Sequence, residues 1–308
     1  MRTRAAVLAL TALLSASSAA FAAGDVTAVR AARGELQITG DDFANDVLIE
    51  RDLMTMEMVV RGRNGTTVNG AAEFRVPGFH SVRATMNGGD DVLTAAGFNV
   101  HRHFYVDLGE GDDALNLVRV VVLGRAYAYG KGGGDTIRFE AGCDLRAGGI
   151  VLADEGANHV VVADSYVRGP LRIWSGAGDD LVEIHRCGFT SKAALSIRTG
   201  DGADVVDFMG NTFQGAVETL TFGGVDKINV RTSRFRRAVG MNTGDDDDEV
   251  TVERCTFEAR YFIGGGDGTN NVFFIAIHFS SGSSNVAAGG TGHSGHFWWA
   301  FVIIHVFP

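Results

Sequence analysis

From about residue 81 onward, apolar and polar residues alternate in short runs separated by glycine-rich polar turns, and the whole arrangement recurs at a nearly constant interval. The stretch Gly176-Ala177-Gly178-Asp179-Asp180-Leu181-Val182-Glu183-Ile184 is representative. Aligning its copies on the acidic or amide residue two before the first apolar position gives the column Asp91, Asp113, Asp135, Asn158, Asp180, Asp204, Asp226, Asp248 and Asn270, with intervals of 22 to 24 residues. Two positions earlier stands a glycine column, Gly89, Gly111, Gly133, Gly156, Gly178, Gly202, Gly224 and Gly268, broken only by Asp246. Two and four positions later come apolar pairs such as Leu115/Leu117, Val160/Val162, Val182/Ile184, Val206/Phe208 and Val250/Val252. Apolar residues spaced by two belong to half-buried strands, and the Gly-rich run beside them is turn chemistry.

Further apolar columns complete each repeat. One lies seven residues before the acidic column, at Val106, Ala128, Val151, Ile173, Ile197, Met241 and Ile263. Another lies seven after the first apolar pair member, at Val100, Val122, Val167, Phe189, Phe213, Phe235, Phe257 and Phe279. A chain with this period buries such columns by winding so that each residue stacks on its counterpart in the next coil. The predicted fold is therefore all-β: a right-handed single-stranded parallel β-helix, the hand following from the general rule for parallel crossovers. About nine coils over residues 81–290, at ~4.8 Å per stacked strand, make a rod on the order of 40 Å long. Residues 24–80 depart from the period, although Gly40-Asp41-Asp42 and Asn45-Asp46-Val47-Leu48-Ile49 echo it. Within them, Met56 to Val60 and Thr66-Thr67-Val68 flank Arg63-Asn64-Gly65, which predicts a hairpin and a small antiparallel cap over the first coil.

The two ends carry different signals. Met1-Arg2-Thr3-Arg4, an apolar run from Ala5 to Leu14 and Ala20-Phe21-Ala22 have the order of a secretory signal peptide, assigned to residues 1–23, so the protein is expected to be secreted. Residues 291–308 form a hydrophobic tail whose apolar run, Phe297 to Pro308, is too short to span a bilayer. It is expected either to fold over the last coil or to contact a partner. The formal charge of -10 argues against nucleic acid and anionic membranes as partners, and for cations. Cys187 and Cys255 hold the same place in coils about 14 Å apart, and Cys143 lies roughly 10 Å from Cys187. Both separations exceed the ~7 Å limit for a disulfide, so three free thiols are expected.

Gly109-Glu110-Gly111-Asp112-Asp113-Ala114-Leu115 and Gly265-Gly266-Asp267-Gly268-Thr269-Asn270-Asn271-Val272 resemble the Gly-Gly-x-Gly-x-Asp-x-Leu nonapeptide of RTX, or haemolysin-type, calcium-binding proteins. The resemblance covers about seven residues in each of nine turns and departs in period, one turn per ~22 residues instead of one per nine. It implies calcium held by Asp113 with carbonyls of Gly109 and Gly111, by Asp180 with Gly176 and Gly178, and by Asp204 with Gly200 and Gly202. Asp91, Asp135, Asp226 and Asp248 extend the same column. The residues themselves leave two readings. Asp and Asn hydrogen-bond turns well, and Asn158 and Asn270 favour a hydrogen-bonded ladder. For inward carboxylates ~4.8 Å apart, each like-charge pair would cost ~3 to 4 kcal/mol at an effective dielectric of 20, so the run from Asp180 to Asp248 needs cations or raised pKa values.

The outer faces bear on function. On the strand after the turn, Thr94, Asn116, Arg138, Glu183, Asp207, Asn229 and Thr251 face outward and read as a solvated surface. On the strand before it, outward parity gives Tyr105, Tyr127, Ile150 and Arg172 in one column, with Tyr129, Leu152, Trp174 and Arg198 beside it. Aromatic faces in a row with arginines at one end suit sugar rings or an apolar partner. A register slip of one residue would instead make them core. The expected function is that of an exported, non-enzymatic binding or structural protein that holds calcium and contacts a polysaccharide or cell-surface component. A polysaccharide-active enzyme of the pectate-lyase kind is the alternative. It would need one outer face to gather unlike acids and bases, and His101-Arg102-His103 and His185-Arg186 are the densest oddities.

Overall fold

The alternating columns close into a parallel β-solenoid in a computed structural model that describes residues 24–279. Three sheets of twelve, twelve and nine strands run along its length. The first sheet carries the strands before each turn, such as Phe104–Glu110, Ala126–Gly132 and Leu195–Asp201. The second carries those after it, such as Leu181–His185 and Val205–Met209, and the third the two-residue strands at the bend, such as Thr212–Phe213. Helix is almost absent: a single 3-10 turn, Ala32–Gly34, interrupts the strands among the described residues. No helix among them is long and apolar enough to cross a membrane. The signal-peptide pattern of residues 1–23 and the apolar run Phe297 to Pro308 lie outside the described residues.

Each predicted inward column is buried in register with its neighbour one coil on. Val106 pairs with Ala128, Val151 with Ile173, and Val182 with Val206, and all are at most 1% exposed. Along the third sheet the aromatic column stacks ring on ring. Phe213 lies 5.0 Å from Phe235 at 11°, and Phe235 lies 4.9 Å from Phe257 at 9°. The glycines of the turn column are required by space. Gly178 has φ +136°, and a Cβ there would sit 2.2 Å from the Gly156 carbonyl oxygen of the preceding coil. No L side chain fits that position without displacing backbone.

The N-terminal region is antiparallel as expected, but its pairing differs from the predicted hairpin. Asn64 and Gly65 do form a tight turn, both with positive φ, closed by Thr66 N–H on the Arg63 carbonyl. The strand before it, Met58–Arg63, pairs antiparallel with Asp46–Arg51 and Glu73–Val76. Thr67–Val68 crosses to the first sheet and pairs in parallel with Asp25–Arg30. That crossing seals the end of the core, because Val68 and Val26 are both 0% exposed. Glu35–Thr39 and Asp46–Arg51 meanwhile pair in parallel with Ser81–Thr85 and Val92–Ala96, so a coil of the solenoid already lies inside the cap region.

Candidate functional site

The turn column forms one continuous interior ladder. The backbone N–H of each member donates to Oδ1 of the member one coil on, from Asn45 on Asp91 at 2.7 Å, through Asp113 on Asp135 at 3.0 Å and Asn158 on Asp180 at 2.8 Å, to Asp248 on Asn270 at 3.0 Å. Asn45 is thus the first member, a place the sequence reading did not give it. The exposed residues next to the column run a second ladder in the opposite direction, with Asp112 N–H on Asp90 and Gly134 N–H on Asp112. Both ladders occupy the corner, where the strand-to-strand bonds pause and orphan N–H groups need acceptors.

The second oxygen of each buried carboxyl has no such partner. Oδ2 of Asp91, Asp113, Asp135, Asp180, Asp204, Asp226 and Asp248 is enclosed and unbonded. These side chains are at most 2% exposed. Burial, the largest cause in every case, pushes Asp91 up to about 8, Asp135 up to about 7, and Asp113, Asp204 and Asp226 up to about 6. Asp180 and Asp248 are raised too, again by burial first. Ser175, Thr199, Thr221 and Thr243, five residues before their respective carboxyls, place hydroxyls nearby that temper the rise in the later coils without a hydrogen bond to Oδ2; Thr199 and Thr221 donate instead to the Thr221 and Thr243 carbonyls. Met86 and Leu108 fill the same place beside Asp91 and Asp113.

The asparagines show what the second oxygen's position calls for. Asn158 Nδ2 donates to the carbonyls of Gly156 and Ser175, each at 2.9 Å, and Asn45 Nδ2 donates to the Phe43 carbonyl. A hydrogen-bond donor belongs there, and a protonated carboxyl supplies one as an amide does. Calcium asks for six to eight oxygens at about 2.3 to 2.6 Å. Here Oδ1 is committed to a backbone N–H, and each coil that carries an Asp leaves one free carboxyl oxygen. No group of three or more His, Cys, Asp or Glu side chains is arranged to hold a metal ion among the described residues. Of the nominated glycines, Gly111 and Gly178 lie in the stacked turns, where Gly111 N–H donates to the Gly132 carbonyl and Gly178 N–H to the Asp201 carbonyl. Gly109 and Gly200 sit within first-sheet strands, and Gly176 has φ +93° at the start of its turn. This donor set fits a proton better than a calcium cage.

A similar column lies at the bend. Cys143, Ser165, Cys187, Asn211, Ser233 and Cys255 are buried, and Cys187 N–H donates to Asn211 Oδ1 at 2.8 Å. The three thiols are free. Burial pushes Cys187 up to about 12 and Cys255 up to about 11, so neither is poised as a nucleophile.

The aromatic strip has the outward register the alternation predicts. Tyr105 pairs with Tyr127, Tyr127 with Ile150 and Ile150 with Arg172, while Tyr129, Leu152, Trp174 and Arg198 run alongside. Tyr105 lies 5.2 Å from Tyr129 and 6.3 Å from Tyr127, ring centre to ring centre. Cations cover part of the row: Arg83 is 4.3 Å from the Tyr105 ring, Lys131 is 5.6 Å from Tyr129 and Arg198 is 5.7 Å from Trp174. Trp174 remains 38% exposed. The structure therefore brings Tyr105, Tyr127 and Tyr129 together and sets Trp174, Arg172 and Arg198 two coils and more away.

The outer face of the second sheet is more organised than a solvated surface. His159 Nε2 meets Glu183 at 2.7 Å, and Arg231 meets Asp207 at 2.9 Å. His185 Nε2 stands 3.9 Å from both Glu183 and Asp207, enclosed and without a hydrogen bond. Arg138 approaches His159 Nδ1 at 3.4 Å. This set was missed because its members occupy three adjacent outward columns, and only an alignment of outward positions would have joined them. His101, the other oddity, packs edge-on against His80 at 5.7 Å. No protein family, characterised protein or solved structure matches this chain.

Proposed function

We propose that this is an exported, non-enzymatic β-helix protein that uses the aromatic flank of its first sheet to bind a polysaccharide or cell-surface component. The observation that carries the reading is the row Tyr105, Tyr127 and Tyr129, presented on a rigid sheet with cations against its rings. Half-buried rings on a fixed backbone lose little freedom on binding, and the parts of their faces left open suit the C–H faces of sugars. Export rests on the pattern of residues 1–23. Calcium is implied by the turn resemblance alone, and this reading of the strip does not depend on it.

The test is attachment to insoluble polysaccharides and to cell envelopes by Tyr127→Ala and Trp174→Ala variants. Loss of at least about tenfold in affinity with an unchanged melting temperature is the expected result. Unaltered attachment would remove the strip from the function, and loss of folding would make those residues structural. A second reading, a polysaccharide-active enzyme, is favoured by His159, Glu183, His185 and Asp207 gathering on one face. Turnover of uronic-acid polymers that disappears in His185→Ala and Glu183→Gln would replace the first reading with this one.

A further inference from the structure

The strip does not end at Tyr105. Beyond that ring the first sheet meets the cap, and a concave cavity of about 320 Å³ opens between them, lined by Arg33, Glu35, Ser81, Arg83, Arg102, His103 and Tyr105 among others. Three successive levels of chain contribute: Arg33 comes from the 3-10 turn of the cap, Arg83 from Ser81–Thr85, and Arg102 from the bend before Phe104–Glu110. Among the described residues, only Arg83 of the three arginines is ion-paired, to Glu35 at 3.8 Å. That single carboxylate also accepts from Gln37 at 2.8 Å, so it is occupied twice. Arg33 and Arg102 are exposed. His103 takes the Arg125 backbone N–H on Nδ1 at 3.2 Å, which leaves Nε2 as its N–H donor.

We propose that this cavity binds the anionic group, carboxylate or sulfate, of an acidic polysaccharide whose neighbouring rings lie across Tyr105, Tyr127 and Tyr129. The proposal rests on the strip being a glycan-binding face. Its own ground is charge. In a chain of formal charge -10, a cavity with two guanidiniums free of ion pairs, a third paired with its one carboxylate, and one imidazole N–H is an island of the opposite sign. Planar guanidiniums recognise carboxylate and sulfate oxygens through paired N–H donors. A neutral glycan would gain only the stacking; an acidic one gains both, and its polarity along the row is fixed by where the charge is held.

The experiment compares binding of the full chain to polygalacturonate, to dextran sulfate and to neutral dextran by titration calorimetry at low and high salt. Expected are salt-sensitive binding to at least one acidic polymer and weaker, salt-insensitive binding to dextran. Arg33→Gln and Arg102→Gln should each weaken the acidic polymer by about tenfold and leave dextran unchanged. The two acidic polymers distinguish carboxylate from sulfate. If Tyr127→Ala lowers binding but the arginine variants do not, the cavity proposal fails while the strip reading stands; if no polymer binds, both fail. Charge reversal by Arg102→Glu, at an exposed site, is the check on a silent Gln variant: unaltered affinity there overturns the cavity as the anion site.

Discussion

Replacing Asp135 with Asn should stabilise the protein at alkaline pH and change little at acid pH. Asp135 is 1% exposed, accepts the Asp113 N–H on Oδ1 at 3.0 Å, and leaves Oδ2 unbonded against Gly130, whose added Cβ would lie 1.9 Å from that oxygen. Burial holds its pKa at about 7 against an ordinary value of 3.8. At about 1.36 kcal/mol per pH unit, that difference puts the cost of the site at pH 8 at no more than ~4 kcal/mol. An amide carries no charge to bury. Its Oδ1 keeps the ladder bond, and its Nδ2 can donate to the carbonyls of Gly133 and Ala153, which stand to it as those of Gly156 and Ser175 stand to Asn158. A gain of about 1 to 3 kcal/mol at pH 8, falling towards zero at pH 4, is the expected outcome of urea unfolding followed by circular dichroism. The reasoning is refuted if Asp135→Asn is less stable than the parent at pH 8. It is also refuted if the loss appears only in millimolar calcium, since the carboxylate would then be a metal ligand.

The parent protein should lose stability as pH rises. With folded pKa values of about 6 to 8 in Asp91, Asp113, Asp135, Asp204 and Asp226, above their ordinary 3.8, the ladder's contribution is complete below about pH 4 and is lost through pH 6 to 8. A melting temperature flat from pH 5 to 8 would contradict this. Millimolar calcium and a chelator should give equal melting temperatures, because each column carboxylate spends one oxygen on a backbone N–H; a calcium-dependent rise of several degrees would restore the metal reading. Gly178→Ala should destabilise by roughly 2 kcal/mol or more, through positive φ and the Gly156 carbonyl, and urea midpoints at constant slope would measure it.

Much of the fold is legible because a solenoid repeats its constraint. Inward columns such as Val106 and Phe213, the outward parity of Tyr127 and Trp174, and the unpaired thiols all follow from a period of 22 to 24 residues and an alternation of two. What escaped is what breaks the period. Asn45 precedes Asp91 by 46 residues, two coil intervals, because Met58–Arg63, Thr67–Val68 and Glu73–Val76 are inserted between stacked coils. The echo in Asn45-Asp46-Val47-Leu48-Ile49, with Val47 and Ile49 both 0% exposed, was the available signal. The hairpin signal at Asn64-Gly65 specified a turn but not a partner, since turn chemistry is local and the destination of Thr67–Val68 is set by which core edge Val68 must close. The set of His159, Glu183, His185 and Asp207 combines residues from three coils and no local motif.

The interior of such a protein is poorly suited to specific chemistry for the same reason that it is easily read. Two of its polar columns, at the turn and at the bend, do one task in coil after coil: they accept backbone N–H groups where the strand ladders pause. A ligand selected by shape and charge needs unlike groups converging on one point, which the repeated columns by themselves do not provide. They converge where the repeat is interrupted. The cap supplies Arg33 and Glu35, the next level Ser81 and Arg83, and the one after it Arg102, His103 and Tyr105, so the cavity exists only at the junction of cap and solenoid. From there the repeat resumes and does what repetition does well, extending a row of rings from Tyr105 through Tyr127 at one coil spacing per step. A unique anchoring point continued by a periodic platform matches the form of a charged polymer, which presents the same group again at each repeat but must be seized at one of them.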